Sequence, residues 1–418
     1  MKLILKKEFI DLQKKVETQY KKKIKDILLY TNSYPEVLHP EIRSFLKKIQ
    51  KQSIHPLKFY LIEMLDDYLS LYELTADKEE EEVFDYWSES EFSQEFMKKA
   101  ASTNILQASQ YCLKLFSAHV LQFLNIHLLE KKLKVSPSYK PVKEIGDSWA
   151  NGKLTIVGFQ ELKSIELSQG PYQYLSLITY DKKNKNKFLK NVSRALEIIR
   201  NYSPESFTRF CHFTHTIVPI KEKRVVSYSS QKLPGYSTIN LYHRDFVDLM
   251  DDLIHENGHH HLNLYLNFSE LIHEDADKIY YSPWRKALRP IRGIYHAVFT
   301  FYWGMLLFRD LSLKVEEDKI NIFKLSKEEK LKINCRFVEE FLMLEYSFKD
   351  LEDPISQKKM TKNGKKLILD LKKSFDQNTR YCQNVLSQLK KTHPKESKEL
   401  LKLKDHLKKM RTHYKLEI

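Results

Sequence analysis

The sequence predicts a predominantly helical α+β protein, in which helical N- and C-terminal regions flank a small mixed or antiparallel sheet packed against one histidine-rich helix. Three observations lead there. Only 9 Gly occur in 418 residues, too few for an architecture built on tight β-turns, which depend on glycine. Long stretches place apolar residues three and four apart, the helical period. Runs of β-branched and aromatic residues are confined to one part of the chain, between about 154 and 241. The 24 Tyr, 23 Phe and 4 Trp need a core to sit in, which excludes a disordered chain.

The elements follow in order. Residues 1–135 read as helices, with Leu57–Leu74 and Ala101–Leu129 carrying the apolar stripe and Glu79–Glu82 as a solvated helix end. Pro137, Pro141 and Gly146 mark a linker into a second region, 136–310. Strands are expected at Leu154–Phe159, Tyr174–Tyr180, Phe207–Ile220, Arg224–Tyr228 and Tyr236–Leu241, with a helix near Lys187–Asn201. Leu233-Pro234-Gly235 supplies the turn before the last of these strands. Asp245, with Asp248 three residues on, is placed to cap a long helix whose apolar face holds Phe246, Leu249, Met250, Leu253, Ile254 and Leu262. The third region, 311–418, is helical and lysine-rich, and Leu400, Leu403, Leu407, Met410 and Tyr414 form a packing stripe.

Charge and cysteine usage bound the function less tightly. A balance of 70 basic against 55 acidic residues gives +15, which permits attraction of an acidic peptide. No compact arginine cluster of a nucleic-acid motif accompanies it, so nucleic acid is not favoured. Cys112, Cys211, Cys335 and Cys382 lie far apart, which excludes a cysteine zinc site and offers no disulfide framework. The N-terminal residues lack the apolar core of a signal peptide, and the uncharged stretch Gly293–Phe308 is shorter than the roughly 18–20 residues that span a bilayer. A cytoplasmic location without membrane attachment is the expectation.

The chemistry is concentrated in Asp251–Phe308. His255-Glu256-Asn257-Gly258-His259 is an H-E-x-x-H on the long helix, and residues four apart lie one turn above each other on one face. Two imidazoles so placed can grip one divalent metal, with Glu256 beside them. His260 and His261 rotate away from that grip by about 100° and 200° and are expected to be buried or to support the site. Spacing leaves the third ligand open. A zinc peptidase would draw on Glu270, Glu274 or Asp277, with Glu274 favoured among them and Glu256 as general base, whereas a non-haem iron site has His296 at the start of an apolar helix. Between them, Pro283-Trp284-Arg285-Lys286-Ala287-Leu288-Arg289-Pro290-Ile291-Arg292-Gly293 sets Arg285, Arg289 and Arg292 near two prolines. Rigid guanidinium forks suit a carboxylate ligand, although pairing with Asp275 or Asp277 would also explain them.

The ordered set, H-E-x-x-H followed by P-W-R-x-x-x-R-P-x-x-G-x-x-H, resembles the α-ketoglutarate-dependent HExxH-type peptide β-hydroxylases, a family associated with modification of ribosomally made peptides. The resemblance covers roughly Pro234–Phe308, under a fifth of the chain, and the compound motif is far rarer than HExxH alone. It implies Fe(II) held by His255, His259 and His296. It also implies 2-oxoglutarate (α-ketoglutarate) met by Arg285 and Arg289, and O2 as the oxidant; Arg292, outside the motif, is a further candidate for that contact by its place in the same loop. The implied reaction is hydroxylation of a side chain in a peptide or precursor peptide, with Glu256 in a supporting role. Zn(II) hydrolysis is the alternative. The His-His pair after His259, the additional Arg292 and the lysine-rich flanks depart from the motif and leave the peptide undefined.

Overall fold

The computed structural model describes residues 2–33, 40–50, 62, 65–66, 69, 80–89, 93–113, 155–156, 182–214, 216–220, 223, 226–229, 235–266, 269–273, 276–316 and 325–414. The chain forms two compact units: Met1–Phe188 with Thr214–Val226 and Lys232–Tyr242, and Leu189–Phe213 with Ser227–Gln231 and His243–Ile418.

The first unit opens with α1 (Lys2–Ser33) and α2 (Pro40–Ile49), followed by α3 (Glu80–Glu89) and α4 (Ser93–Ala100). Ile62, Leu65 and Leu69, spaced three and four apart in the expected stripe, are buried. Glu80, Glu81 and Glu82 fill the exposed first turn of α3, where negative charge meets the positive helix end. Trp87 is fully buried, stacks on Phe96 and donates its indole N–H to Ser109 at 2.8 Å. Here a large apolar ring enters the core because its one polar atom has a partner.

Strands β1 (Thr155–Ile156) and β2 (Thr216–Ile220) precede β3 (Tyr228–Ser229) and β4 (Tyr236–Asn240). In this unit β1, β2 and β4 run parallel, with Thr155 opposite Thr216 and Ile217 opposite Ser237. The strand expected at Tyr236–Leu241 is present. The one expected at Phe207–Ile220 is not continuous: α5 (Lys182–Tyr202) is followed by α6 (Pro204–Phe213), and only Thr216–Ile220 is extended. Pro204 stands at the first helical position, where its missing N–H costs nothing, and Phe207, Phe210 and Phe213 recur every three residues and are buried. Aromatic composition favours a strand, but the spacing of three is the helical one, and here the spacing decides. Tyr174–Tyr180 and the linker prolines lie outside the described residues.

The second unit is helical around one antiparallel hairpin. Its central helices are α7 (Phe246–Leu266), α8 (Ile291–Glu316) and α9 (Lys327–Glu352). The hairpin β5 (Tyr280–Ser282) and β6 (Ala287–Arg289) lies between α7 and α8 in sequence. The short α10 (Pro354–Lys358) leads to α11 (Lys362–Asp376), α12 (Thr379–Thr392) and α13 (Pro394–His413). Asp245 caps α7 as expected: its Oδ1 accepts from the Asp248 N–H at 2.9 Å, and the Asp248 carboxylate accepts from the Asp245 N–H in return. Along α9, Phe337, Phe341, Leu344 and Phe348 are buried, and Phe341 stacks on Phe375 of α11. The stripe on α13 is present, with Leu400 and Leu407 buried, and Arg411 reaches Asp350 and the Tyr346 carbonyl of α9. No helix among the described residues is long and apolar enough to cross a membrane.

Packing alone does not explain the seam between α7 and α9, because its residues include buried charges. Asp248, Asp251, Asp252 and Glu340 are all buried. Arg336 stands 2.8 Å from Asp248, 3.7 Å from Asp251 and 3.9 Å from Glu340, while Arg244 clamps Asp252. Burial pushes Asp251 up to about 6, Arg336 opposes the shift and Asp252 adds to it. Removing one partner of such a network leaves buried charge uncompensated, at a cost of roughly 3–5 kcal/mol. Arg336→Met is therefore expected to destabilise the protein by about that amount. Lys332→Met, which removes a half-exposed partner of Asp248, should cost about 1 kcal/mol or less, both read from denaturant unfolding.

Candidate functional site

Every residue of α7 from Val247 to Leu264 is buried except His255 and His259. A helix covered on all sides needs apolar or satisfied residues throughout, so two partly exposed histidines one turn apart mark an opening to solvent. On α8, Gly293, His296, Ala297 and Phe301 are likewise partly exposed and Arg292 is exposed, again at spacings of three and four. The two open faces meet.

They meet because α7 and α8 approach closely in antiparallel register. A Cβ at Gly258 would lie 3.1 Å from the Thr300 Cα, so glycine in the second x position of the motif sets the helix separation. Farther along the seam, Gly304 faces the Asp251 carboxylate. This register sets His259 across from His296, with ring centroids 6.3 Å apart, and His255 against Phe301 at 4.2 Å. His255 and His259 stand edge to face at 5.0 Å.

The electrostatics favour lone pairs over protons. Burial pushes His255 down to about 3, and Arg285 and Arg244 contribute. Burial lowers His296 to about 4, helped by Arg292. His259 falls well below the usual imidazole range through burial, with His255 and His296 adding to it. Neutral imidazole is the metal-binding form. The His255 Nδ1 has no hydrogen-bond partner, which is costly for a buried polar atom unless something else meets it. Among the described residues, no three His, Cys, Asp or Glu side chains already stand as a set that could hold an ion. The chemistry of the donors fits one: three neutral imidazoles from two helices share one opening, and closing on a metal calls for turning rings about their side-chain bonds.

Glu256 differs from its neighbours. It is 2 % exposed and its Oε2 has no partner. Burial pushes it up to about 8, against the Ser229 hydroxyl and Arg285, while Asp252 and Asp251 reinforce the rise. The carboxyl is thus held neutral and away from solvent.

The arginines divide by position. Arg285 is exposed at the hairpin turn, and its charge acts on His255, Glu256 and His259. Arg292 acts on His296. Arg289 lies against Gly293 at the start of α8. Asp277, the alternative partner for these arginines, pairs with Lys359, and Asp275 lies outside the described residues. Of the carboxylate ligands weighed from sequence, Glu270 is exposed and 3.4 Å from His273, while Glu274 lies outside the described residues. His260 and His261 are buried, and His261 stacks on Phe213 at 4.7 Å beside Phe299 and Trp303.

Sequence reasoning missed three contributors. Phe301 joins His255 to Trp284, whose ring lies 4.3 Å away and nearly parallel. Glu340 accepts the Trp284 indole N–H at 2.9 Å. Ser229, on the two-residue β3, neighbours Glu256. Glu340 carried a signal: a carboxylate three residues from Phe337 and four from Leu344, on an apolar face. No model of a known protein family matches the chain, and no curated protein matches it.

The histidines make a signed prediction for the metal-free protein. Their unfolded values lie near 6.5 and their folded values are depressed, so this stabilisation is complete above about pH 6.5 and lost as pH falls through the folded values. Glu256, raised to about 8, contributes in the opposite sense, losing its part as pH rises through that value. Unfolding free energies measured between about pH 6 and 4.5 should have a slope smaller in His296→Gln than in the unmodified chain by about 1 kcal/mol per pH unit, a little under one proton's worth.

Proposed function

We propose that the protein is an iron(II)- and 2-oxoglutarate-dependent oxygenase that hydroxylates a side chain of a peptide, with His255, His259 and His296 as ligands. The observation that carries the reading is the shared solvent opening of these histidines on α7 and α8, with the Arg285 charge acting on it. When bound, iron with 2-oxoglutarate and O2 supplies the oxidising power for an unactivated C–H bond, and succinate is released. The protein's own task is placement. The three imidazoles offer uncharged donors at neutral pH, so no proton must leave before binding. Arg285, with Arg289 and Arg292 nearby on the same exposed segment, offers forks to the carboxylates of the cosubstrate. Phe301 and Trp284 line one side with stacked rings and keep water from it. Glu256, buried and neutral, orients the ligand helix and does not take protons. The net charge of +15 favours an acidic peptide.

Zinc-dependent peptide hydrolysis with Glu256 as general base is the second reading, and only the motif spacing favours it. A general base must reach a metal-bound water, and the Glu256 carboxyl is buried.

Metal content separates the two. His255→Ala, His259→Ala and His296→Ala should each lose stoichiometric Fe(II) or Zn(II) by elemental analysis on folded protein, and Glu274→Gln should retain it. Loss in Glu274→Gln with retention in His296→Ala would transfer the protein to the peptidase class.

The arginine assignment has its own assay. Arg285→Lys keeps the charge but loses the fork, so the KM for 2-oxoglutarate should rise about ten- to a hundredfold, the equivalent of one charged hydrogen bond, while metal content stays unchanged. The measurement is succinate release under O2 with Fe(II) and a candidate acidic peptide. Iron-loaded protein that neither binds 2-oxoglutarate nor forms succinate, yet cleaves peptides with Zn(II), would overturn the oxygenase reading.

A further inference from the structure

The hairpin that presents Arg285 is too small to hold itself. It consists of three residue pairs, Tyr280–Arg289, Tyr281–Leu288 and Ser282–Ala287, and an isolated two-stranded ribbon is marginal in water. Its base is secured on the β5 side, where Tyr280, Tyr281 and Ser282 are buried. Tyr280 meets Ser356 at 3.1 Å, and Tyr281 meets His406 at 2.9 Å. Its tip is not. Arg285, Lys286 and Ala287 are exposed, and Lys286 takes the left-handed backbone conformation (φ 50°) that a residue with a side chain holds at some cost. Beyond the turn's own hydrogen bond from the Lys286 N–H to the Ser282 carbonyl at 2.8 Å, the hold at the tip comes from Trp284, through the face of Phe301 and the Glu340 carboxyl.

Glu340 is an odd residue for its place. It is 1 % exposed on α9 among Phe337, Phe341 and Leu344, and one of its oxygens, Oε1, has no hydrogen-bond partner. Such a carboxyl is expensive, and an apolar side chain of similar volume is often neutral or stabilising there. Its other oxygen is committed to the indole. We infer that Glu340 is a positioning residue: through the Trp284 indole it fixes the tip of the hairpin, and so holds Arg285 beside the histidine opening, ready for the carboxylate of an incoming ligand. The purpose assigned to Arg285 rests on the oxygenase reading; the hold on the hairpin does not.

The role asks for an acceptor rather than a charge. Burial and Asp251 push the Glu340 carboxyl above the usual carboxylate range, against Arg336 and the Trp284 hydrogen bond, and glutamine offers the indole the same carbonyl acceptor at nearly the same volume. Trp284→Phe removes the donor while keeping a ring to stack on Phe301.

The test compares the full-length protein with Glu340→Gln, Glu340→Leu and Trp284→Phe by hydrogen exchange of peptides covering the hairpin, by Co(II) binding and by 2-oxoglutarate KM. Losing the indole hydrogen bond should speed exchange at the tip about tenfold in Glu340→Leu and Trp284→Phe, and raise KM by a similar factor, a change worth about one hydrogen bond. Co(II) affinity should hold in all three, the thermal midpoint should fall in Glu340→Leu and change little in Trp284→Phe, and Glu340→Gln should match the unmodified protein on every measure. Unchanged exchange in Trp284→Phe, or a Glu340→Gln hairpin as loose as that of Glu340→Leu, would overturn the role. Should Glu340→Leu fail to fold, Trp284→Phe and Glu340→Gln decide it. Should the unmodified protein bind no 2-oxoglutarate, the oxygenase reading falls by itself, and the exchange comparison still decides whether Glu340 holds the hairpin.

Discussion

The close contact of α7 and α8 at Gly258 and Thr300 governs the candidate site. Two helices with ordinary side chains at their crossing stand about 8–10 Å apart, and glycine is what allows a tighter approach. With Thr300 buried against Gly258, and its hydroxyl turned back to the His296 carbonyl of its own helix at 3.0 Å, neither helix can slide without setting a side chain against the Thr300 backbone. That fixed register decides which residues face one another: His259 and His296, His255 and Phe301. The glycine inside the motif, costly to an isolated helix by about 1 kcal/mol, is repaid in placement.

Around this contact, the rest of the second unit fixes α7 from both sides. On one, Asp248, Asp251 and Asp252 are answered by Lys332, Arg336 and Arg244. On the other, Arg209 is buried over the Trp303 ring and donates to Asn257, whose amide in turn caps the Phe210 carbonyl at the end of α6. Burial lowers Arg209 to about 9, and its contacts with Asn257 and Trp303 join the ion pairs of Asp248 and Asp252 in holding α7. Polar contacts are directional where apolar packing is not, and they leave one rotation of the helix as the satisfied one. His255 and His259 are then left at the opening by exclusion, since the other faces of the helix are committed.

Much of this was legible in the sequence, and the limits have physical causes. The helical class, the α5 and α7 helices, the Asp245 cap, the β4 strand and the α13 stripe followed from period and capping chemistry, which are local. The strand expected over Phe207–Phe213 follows from aromatic composition, whereas the spacing of three between its phenylalanines and Pro204 at a helix start point to the helix that is present. The parallel pairing of β2 with β4 depends on contacts beyond the reach of either strand's pattern. At the site, the HExxH spacing gave the histidine pair directly. Trp284 was visible as a letter in the motif but without a partner, because Glu340 lies 56 residues away on another helix. Ser229 belongs to a two-residue strand with no pattern to read.

The distribution of protons completes the argument. Ordinary burial would favour one arrangement in this site: histidines neutral, carboxyls neutral, arginines at the rim. That is the arrangement present, with His255 and Glu256 displaced in opposite directions by the same loss of water. A divalent cation entering such a site meets three uncharged donors and no ionised carboxylate among them, so a ligand set drawn from these residues would leave its charge unneutralised. An anion completing the shell would therefore be held by the cation as well as by the guanidinium at the hairpin turn. The same geometry gives a neutral ligand no comparable advantage. In the proposed oxygenase, selectivity for a chelating carboxylate would follow from the charge that the protein withholds at the centre and places at the edge.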